Sequence, residues 1–570
     1  MENQVIGYIV GGGLKESFRA RLSVPAQEVQ EGAFVVIESG NMQFYGLVTD
    51  LQLGATDPRF ADEQSESRLP PALAHALHGQ TLYTNLEILP ALMLERGPEP
   101  GSPGYDSWMM GMAEKSPRPR MVNTVPAHHA QVRMASDGDI AEIFGDPGKK
   151  GYFIIGTTRE QGHRVCIELD KFIQRSAGVF GATGTGKSFL TRILLAGLME
   201  HGKASILVYD MHNEYGYEDT ASDTGLPVTG LKTRFASRVR VVGLGSGATI
   251  RDKTPDFNLE IAMQDITPVD IELLTRELNL KETTPTTLHA LTVSFGRDWF
   301  RKFKAMNREE IEVEDEKTGK IRKEPHPGSV AFWANEAGVN IMAVEALHDK
   351  MRRLFDKQYI VEKLAADSVN EMIKSLEAGR HVILSFGQSY ETDLDYLLVS
   401  NLLTRKIKQV WEDKTNDYRS GKVKTEPRPL VIVVEEAHKL LNREMASQTT
   451  FASIAREMRK YYVTLLIIDQ RPSQIHDEVM SQLGTRICGW LGDEDDIHAV
   501  LSGLSNRESL RGMLARLQPK EEVLLLGWGI PMALPVKSRR YDDDFWKELL
   551  GTGGKKDEIQ IMKELGFNNL

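Results

Sequence analysis

The sequence predicts an α/β fold. Its core is a parallel sheet carrying a phosphate-binding loop, with a helical insertion, and a small β-barrel stands in front. Three observations carry this reading. GATGTGKS at 181–188 has the spacing G-x-x-x-x-G-K-[ST] and lies between a short apolar strand and a helix. Six near-continuous apolar runs recur downstream, separated by helical patterns, as in a sheet buried on both faces. Residues 1–60 instead hold short β-branched and aromatic runs broken by glycine.

The chain has 570 residues, room for two to four domains. Hydrophobic residues make up 41% and charged residues 26%, which places it among globular proteins. No apolar run reaches the roughly 20 residues of a membrane helix, and MENQVIGYIV lacks the basic flank and apolar core of a signal peptide. Cys166 and Cys488 stand far apart with no metal-type spacing. A disulfide framework and a zinc site are therefore not expected, and the reducing cytoplasm is the default location. The net charge of −11 rules out a basic surface over the whole chain. It leaves room for a ring that grips nucleic acid only through basic residues lining its pore.

In order along the chain, VIGYIVGG (5–12), AFVVIES (33–39) and FYGLVTDL (44–51) read as strands of a small barrel. The plainer alternative is a β-domain of no defined role. Residues 97–126, rich in Gly, Pro and Ser, read as an ordered crossover or a linker between domains. From about 151, strands and helices alternate. The strands are AGVF (177–180), SILVYD (205–210), RVRVVGL (238–244), HVILSFG (381–387), LVIVVEE (430–436), TLLIIDQ (464–470) and EVLLLGW (522–528). Between about 255 and 378 the pattern is helical, interrupted by a charged loop or hairpin at 308–328. The tail from Tyr541 holds one or two amphipathic helices, DDFWKELL and DEIQIMKEL. The expected division is 1–165 for the barrel and its connecting segment, 166–540 for the core and 541–570 for the tail.

The chemistry starts at the loop. Backbone N–H groups of Gly181, Thr183, Gly184, Thr185 and Gly186, with the helix dipole behind them, would cradle the phosphates of ATP. Lys187 would reach the β/γ-phosphates and the Ser188 hydroxyl would bind Mg²⁺. LVIVVEEAH ends a buried strand in two acids. Alternation along a strand gives them different jobs, so Glu435 is assigned to the metal and Glu436 to the attacking water. Asp210, ending the strand of VYDMHNEY, faces the ligand crevice, whereas His212 and Glu214 are more simply structural. Gln470, ending TLLIIDQ, is placed to sense the γ-phosphate, the alternative being a turn made by Pro472 and Ser473. Arg456 and Arg459, three apart on a helical stretch, offer either a solvated basic face or an arginine inserted into a neighbouring subunit's site.

No NKxD segment of GTPases is present, and LSGLSNRESL (501–510), faintly like a transporter signature, follows the second acidic motif instead of preceding it. EEAH invites comparison with two-core helicases, but only one core is present, with Lys187 and Glu435 separated by 248 positions.

Over nearly its whole length the chain resembles the HerA helicases/translocases of the HerA–FtsK group. The likeness rests on the barrel strands, similar to the family's HAS-barrel, and on GATGTGKS, YDMHNEY (209–215) and VVEEAH (433–438). It rests further on AREMRKYYVTLLIIDQRPS (455–473) and LLLGWGIPMALPVKSR (524–539). The resemblance implies a RecA-like core, ATP with Mg²⁺, and a homo-hexameric ring that threads double-stranded DNA. It makes Glu436 the catalytic base, Gln470 the sensor, and Arg456 or Arg459 the trans arginine. Two departures are Glu435, where Asp is usual, and Met458, where a small residue is common. Family motors act with a nuclease, NurA-like, or another effector, in end processing or anti-phage defence. No nuclease constellation lies in this chain, so a separate subunit is implied, with the barrel as its dock. The second reading is a ring scaffold that assembles and activates a toxic effector under ATP control. A type IV secretion or conjugation ATPase is disfavoured by the lack of membrane segments. RFASRVR (234–240) and the insertion are candidates for pore contacts.

Overall fold

The computed structural model describes residues 4–14, 16–56, 82–98, 101–114, 118–220, 225–314, 321–387, 392–445, 449–504 and 506–551. The chain divides into two compact units: Met1–Glu200 with Gln470–Ser473 and Leu483–Leu570, and His201–Asp469 with Gln474–Gln482.

The first unit opens with the expected barrel. Its strands are β1 (Val5–Gly11), β2 (Phe18–Leu22), β3 (Phe34–Ser39), β4 (Met42–Ala55), β5 (Leu82–Glu95), β6 (Arg120–Met121) and β7 (Gln131–Met134). They run antiparallel in the order β2-β1-β7-β3-β4-β5, and β5 returns to β2 with Phe18 opposite Ile88, so the sheet has closed. Irregular register at Tyr45/Gly46 and Val48/Asp50 bends the long β4–β5 ribbon round the barrel. Gly46 sits where a Cβ would come within 2.7 Å of the Leu89 carbonyl oxygen. Ile9, Phe18, Val35, Phe44, Ile88 and Val132 fill the interior. The Gly/Pro/Ser-rich segment at 97–126 is a crossover inside the barrel: helix Tyr105–Glu114 and β6 lie between β5 and β7 in the chain.

Helix Asp137–Phe144 follows the barrel and starts in a capping box between Ser136 and Asp139. Arg133 is buried on β7 and bonds Asp139 at 2.7 Å and Glu38 at 2.7 Å. A second set of strands then runs in the order Ala177–Phe180, Thr485–Cys488, Glu522–Gly527, Leu534–Ser538, Tyr152–Thr158, Arg164–Glu168. Here the expectation of a parallel sheet needs correction. Only the first pair is parallel, and EVLLLGW lies antiparallel to both its neighbours. A local apolar run reports burial on both faces and says nothing of strand direction. Cys166 and Cys488 are free and buried, and burial pushes both thiols up to about 12.

In the second unit six strands are parallel throughout, in the order Phe257–Leu259, Val239–Leu244, His381–Ser385, Ser205–Asp210, Leu430–Glu435, Val463–Asp469. Leu207, Val208, Ile432 and Val433 are wholly buried, as strands covered on both faces require. The insertion is helical, with Thr284–Phe295, Trp299–Ala305, Val330–Glu336, Ile341–Phe355 and Ser368–Glu377. It has its own aromatic centre, where Phe300 and Phe303 meet Phe355 edge-on and the Trp299 indole N–H donates to the Ile266 carbonyl at 3.0 Å. The charged stretch at 308–328 contains a hairpin, Glu310–Glu314 against Ile321–Pro325. The tail helix Asp543–Leu550 is capped by Asp542, whereas DEIQIMKEL lies outside the described residues.

Candidate nucleotide site

The phosphate loop leaves strand Ala177–Phe180 and enters helix Lys187–His201. Residues 190–199 of that helix are buried all round, which anchors its N-terminus. Gly184 and Gly186 hold φ of +77° and +84°, where a side chain would be strained. A Cβ on Gly181 would come 2.7 Å from the Thr185 hydroxyl. That hydroxyl donates to the Ala182 carbonyl at 2.7 Å. Neighbouring segments tie the loop down: the Ala182 N–H donates to the Trp490 carbonyl at 3.0 Å, and the Lys520 N–H donates to the Thr185 carbonyl at 3.2 Å. Gln470 meets this loop directly, its side-chain oxygen accepting from the Thr183 hydroxyl at 2.6 Å. A small cleft beside the loop is lined by Thr185, Gly186, Lys187, Lys520, Glu522 and Ser538. Among the described residues Lys187 has no ion-pair partner. Positive charge, the helix N-terminus and open backbone N–H groups together make a receptor for a polyphosphate.

In the second unit, Glu435 ends strand Leu430–Glu435 as a buried carboxylate. One oxygen accepts from the Tyr215 hydroxyl at 2.7 Å, and the other has no hydrogen-bond partner among the described residues. Burial pushes the Glu435 carboxyl well above the usual range, the charges of Asp210 and Glu214 push it further, and the Tyr215 bond opposes them. The Tyr396 hydroxyl donates to the Glu435 carbonyl at 2.6 Å. Tyr215 and Tyr396 are wholly buried and their hydroxyls are held well above their ordinary value, by burial first and the nearby acids second.

Glu436 is no longer part of the strand. Its φ of +45° is left-handed, so the chain turns at Glu436 directly after Glu435 ends the strand. Glu436 lies half-buried beside His438, whose Nδ1 is 3.6 Å from its Oε2. His438 in turn bonds Asp469 at 2.9 Å.

Asp210 is fully buried and its oxygens accept from the N–H groups of Glu214 and Tyr215 at 2.8 and 3.1 Å, so it shapes the turn after its strand. His212 is exposed. Arg456 closes helix Thr450–Glu457 and pairs with Glu478 at 3.3 Å. Arg459 falls in the following 3₁₀ turn, Met458–Tyr461, exposed and without an ion pair among the described residues. Met458 is completely buried between them. Sequence reasoning missed Tyr215, Tyr396, His438 and Asp469. The signals were present in MHNEY, EEAH and IIDQ, but a buried Tyr or Asp is recognised only once its partner is in place.

A P-loop, a side-chain amide bonded to it and a strand ending in a buried acid followed by a second acid are the features of a P-loop ATPase. Residues 153–407 match the family described as Helicase HerA, central domain. The chain is 24% identical to the DNA double-strand break repair helicase HerA of Sulfolobus acidocaldarius, over 91% of this chain and 90% of that one. It is 22% identical to the protein of the same name from Saccharolobus solfataricus, over 91% and 89%. The chain is thus similar to HerA proteins over nine-tenths of its length. Among solved structures, VirB4 of Thermoanaerobacter pseudethanolicus aligns with a TM-score of 0.42 at 14% identity, covering 70% of this chain and 99% of that one. The bacterial conjugative coupling protein TrwB aligns with a TM-score of 0.42 at 12% identity, covering 71% and 92%.

Proposed function

We propose that this chain is an ATP-driven translocase or helicase acting on double-stranded DNA, working as a homo-hexameric ring. The observation that carries the reading is the tethered phosphate loop with its open Lys187, in a chain that matches HerA proteins over nine-tenths of its length. In this reading Gly181, Thr183, Gly184, Thr185, Gly186 and Lys187 hold the phosphates of ATP. Glu436 orients and deprotonates the attacking water. Gln470 reports the γ-phosphate to the loop through Thr183. Asp210 supports the site from the turn it shapes. Arg459 is favoured over Arg456 as the arginine inserted into a neighbouring subunit, because Arg456 already has a carboxylate partner.

Mg²⁺ fits the residues present. Glu435 carries a buried oxygen with no hydrogen-bond partner among the described residues, in an acidic chamber, which suits a ligand for a cation. Ser188, at the helix N-terminus, is the second ligand. The ion would neutralise phosphate charge, and Mg²⁺ suits few protein ligands because it keeps waters and phosphate oxygens. The effector is a separate nuclease or toxin-like subunit docked on the barrel, in DNA end processing or defence, and the complex works in the cytoplasm. No described helix is long and apolar enough to cross a membrane.

The test is steady-state ATP hydrolysis by the purified chain, with and without linear duplex DNA, with Lys187→Ala as the blank. Stimulation by DNA that weakens with salt is the expected result. Hydrolysis indifferent to DNA at every salt concentration would contradict the motor reading.

A further inference from the structure

The EEAH turn contains a residue that the assigned roles leave unused. Glu436 is a non-glycine residue at φ +45°, a conformation costing about 1–2 kcal/mol, and such strain persists only where the surroundings over-determine it. What holds this turn is the end of strand Val463–Asp469. The Ala437 N–H reaches the Ile468 carbonyl at 3.4 Å, and the His438 N–H donates to Asp469 Oδ2 at 2.7 Å. The His438 ring adds a third tie, with Nδ1 2.9 Å from Asp469 Oδ2. The same nitrogen is 3.6 Å from Glu436 Oε2. Carboxylates only accept, so Nδ1 carries the proton and donates it to Asp469, while Glu436 Oε2 lies at ion-pair distance from the same ring edge, beyond a hydrogen bond. Burial alone would lower this imidazole's pKa. The bond and charge of Asp469, followed by the charge of Glu436, more than reverse that, so the ring is held toward its charged form. Asp469 is wholly buried, so the ring is anchored through the same Nδ1 edge that faces Glu436. Along the chain Asp469 directly precedes Gln470, whose amide bonds Thr183 of the phosphate loop.

We propose that His438 is a positioning residue for hydrolysis: clamped by Asp469, its ring stands at ion-pair distance from the Glu436 carboxylate and keeps it in the orientation that meets the attacking water. The proposal rests on the reading of Glu436 as the general base. His438 touches neither nucleotide nor water in this account and acts only through Glu436. It therefore controls turnover and leaves nucleotide affinity alone, in the way that residues orienting a reactive group affect rate by about 10–100-fold.

The experiment compares His438→Asn, His438→Gln and His438→Ala in the full chain, with Glu436→Gln alongside. Asparagine places an amide N–H near the position of Nδ1, and glutamine places it near Nε2. The expected result is a kcat for His438→Asn within about fivefold of the unaltered chain, and a fall of about 10–100-fold for the Gln and Ala variants. The KM for ATP and the affinity for a fluorescent ADP analogue stay unchanged in all three. Adding His438→Ala to Glu436→Gln costs nothing beyond the residual rate of Glu436→Gln alone, as residues acting through one another require. Equal loss in Asn and Gln variants, loss of ADP affinity, or unchanged kcat in His438→Ala overturns the proposal. If the Ala variant does not fold, the Asn-against-Gln comparison decides. Full hydrolysis by Glu436→Gln overturns the base assignment instead, so the two failures are distinguishable.

Discussion

Replacing Glu435 with glutamine is expected to stabilise the protein while ending its activity. The side chain is 6% exposed, one of its oxygens has no hydrogen-bond partner among the described residues, and Asp210 and Glu214 add like charge. Glutamine keeps the acceptor for the Tyr215 hydroxyl and removes the charge. Losing the charge assistance of that bond costs about 1 kcal/mol. Relieving a buried, uncompensated charge gains about 1–4 kcal/mol. The net expectation is a gain of about 1–2 kcal/mol at neutral pH, or roughly 2–4 °C for a unit of this size. The sign with pH follows from the raised carboxyl. A carboxyl raised in the fold favours the folded state below its ordinary value of 4.5, and that contribution is lost as pH rises toward the folded value. The advantage of Glu435→Gln should therefore be small near pH 5 and widen upward by at most about 1.4 kcal/mol per pH unit until the folded value is passed. Thermal unfolding of the nucleotide-free protein in chelator, scanned from pH 5 to pH 8, measures this. A variant less stable than its parent, or a difference that does not change with pH, refutes the argument that Glu435 is held in place against its electrostatics for a cation.

Other expectations follow from the same geometry. Lys187→Ala should abolish binding of a fluorescent ADP analogue and leave the melting temperature of the nucleotide-free chain within about a degree, since Lys187 makes no ion pair among the described residues. Arg459→Ala should lower kcat by about 10³-fold or more without loss of stability, and mixing it with Lys187→Ala subunits should restore part of the rate if the arginine works in trans. Arg456→Ala should cost under about 1 kcal/mol through its exposed pair with Glu478, and little activity. In the barrel, Asp139→Asn should cost about 3 kcal/mol by uncovering buried Arg133. Burial opposes ionisation of Asp139, but Arg133 and Ser136 outweigh it and hold the carboxyl below its ordinary value. Its contribution is thus present above about pH 4 and lost as pH falls, so the gap between parent and variant should close in acid denaturation.

How much of this was legible in the sequence differs by element for physical reasons. AGVF and SILVYD match their strands residue for residue, because a strand buried on both faces is a closed apolar run with polar ends. The barrel was recognised from three strands, but β2, β5 and β7, which close it, were not. FRARL on β2 and QVRM on β7 carry arginines, and Arg133 is inside only because Asp139 and Glu38 meet it there. Strand Thr485–Cys488 was hidden in the same way, its buried Arg486 satisfied by the carbonyls of Val500 and Ser502. At the candidate site, residue types pointed to the loop, both acids and the amide. The left-handed turn at Glu436 and the ring of Tyr215, Tyr396, His438 and Asp469 are products of tertiary contacts between stretches as much as 220 residues apart.

The most direct test of the motor reading is movement itself. A triplex-forming strand bound to linear duplex DNA is displaced when an enzyme tracks along the duplex, and its release can be followed by fluorescence. The account predicts ATP-dependent displacement by the full chain, alone or with its effector, that disappears in both Lys187→Ala and Glu436→Gln. Robust ATP hydrolysis with no displacement in either form would contradict it, and would leave a ring whose nucleotide cycle serves some purpose other than moving DNA.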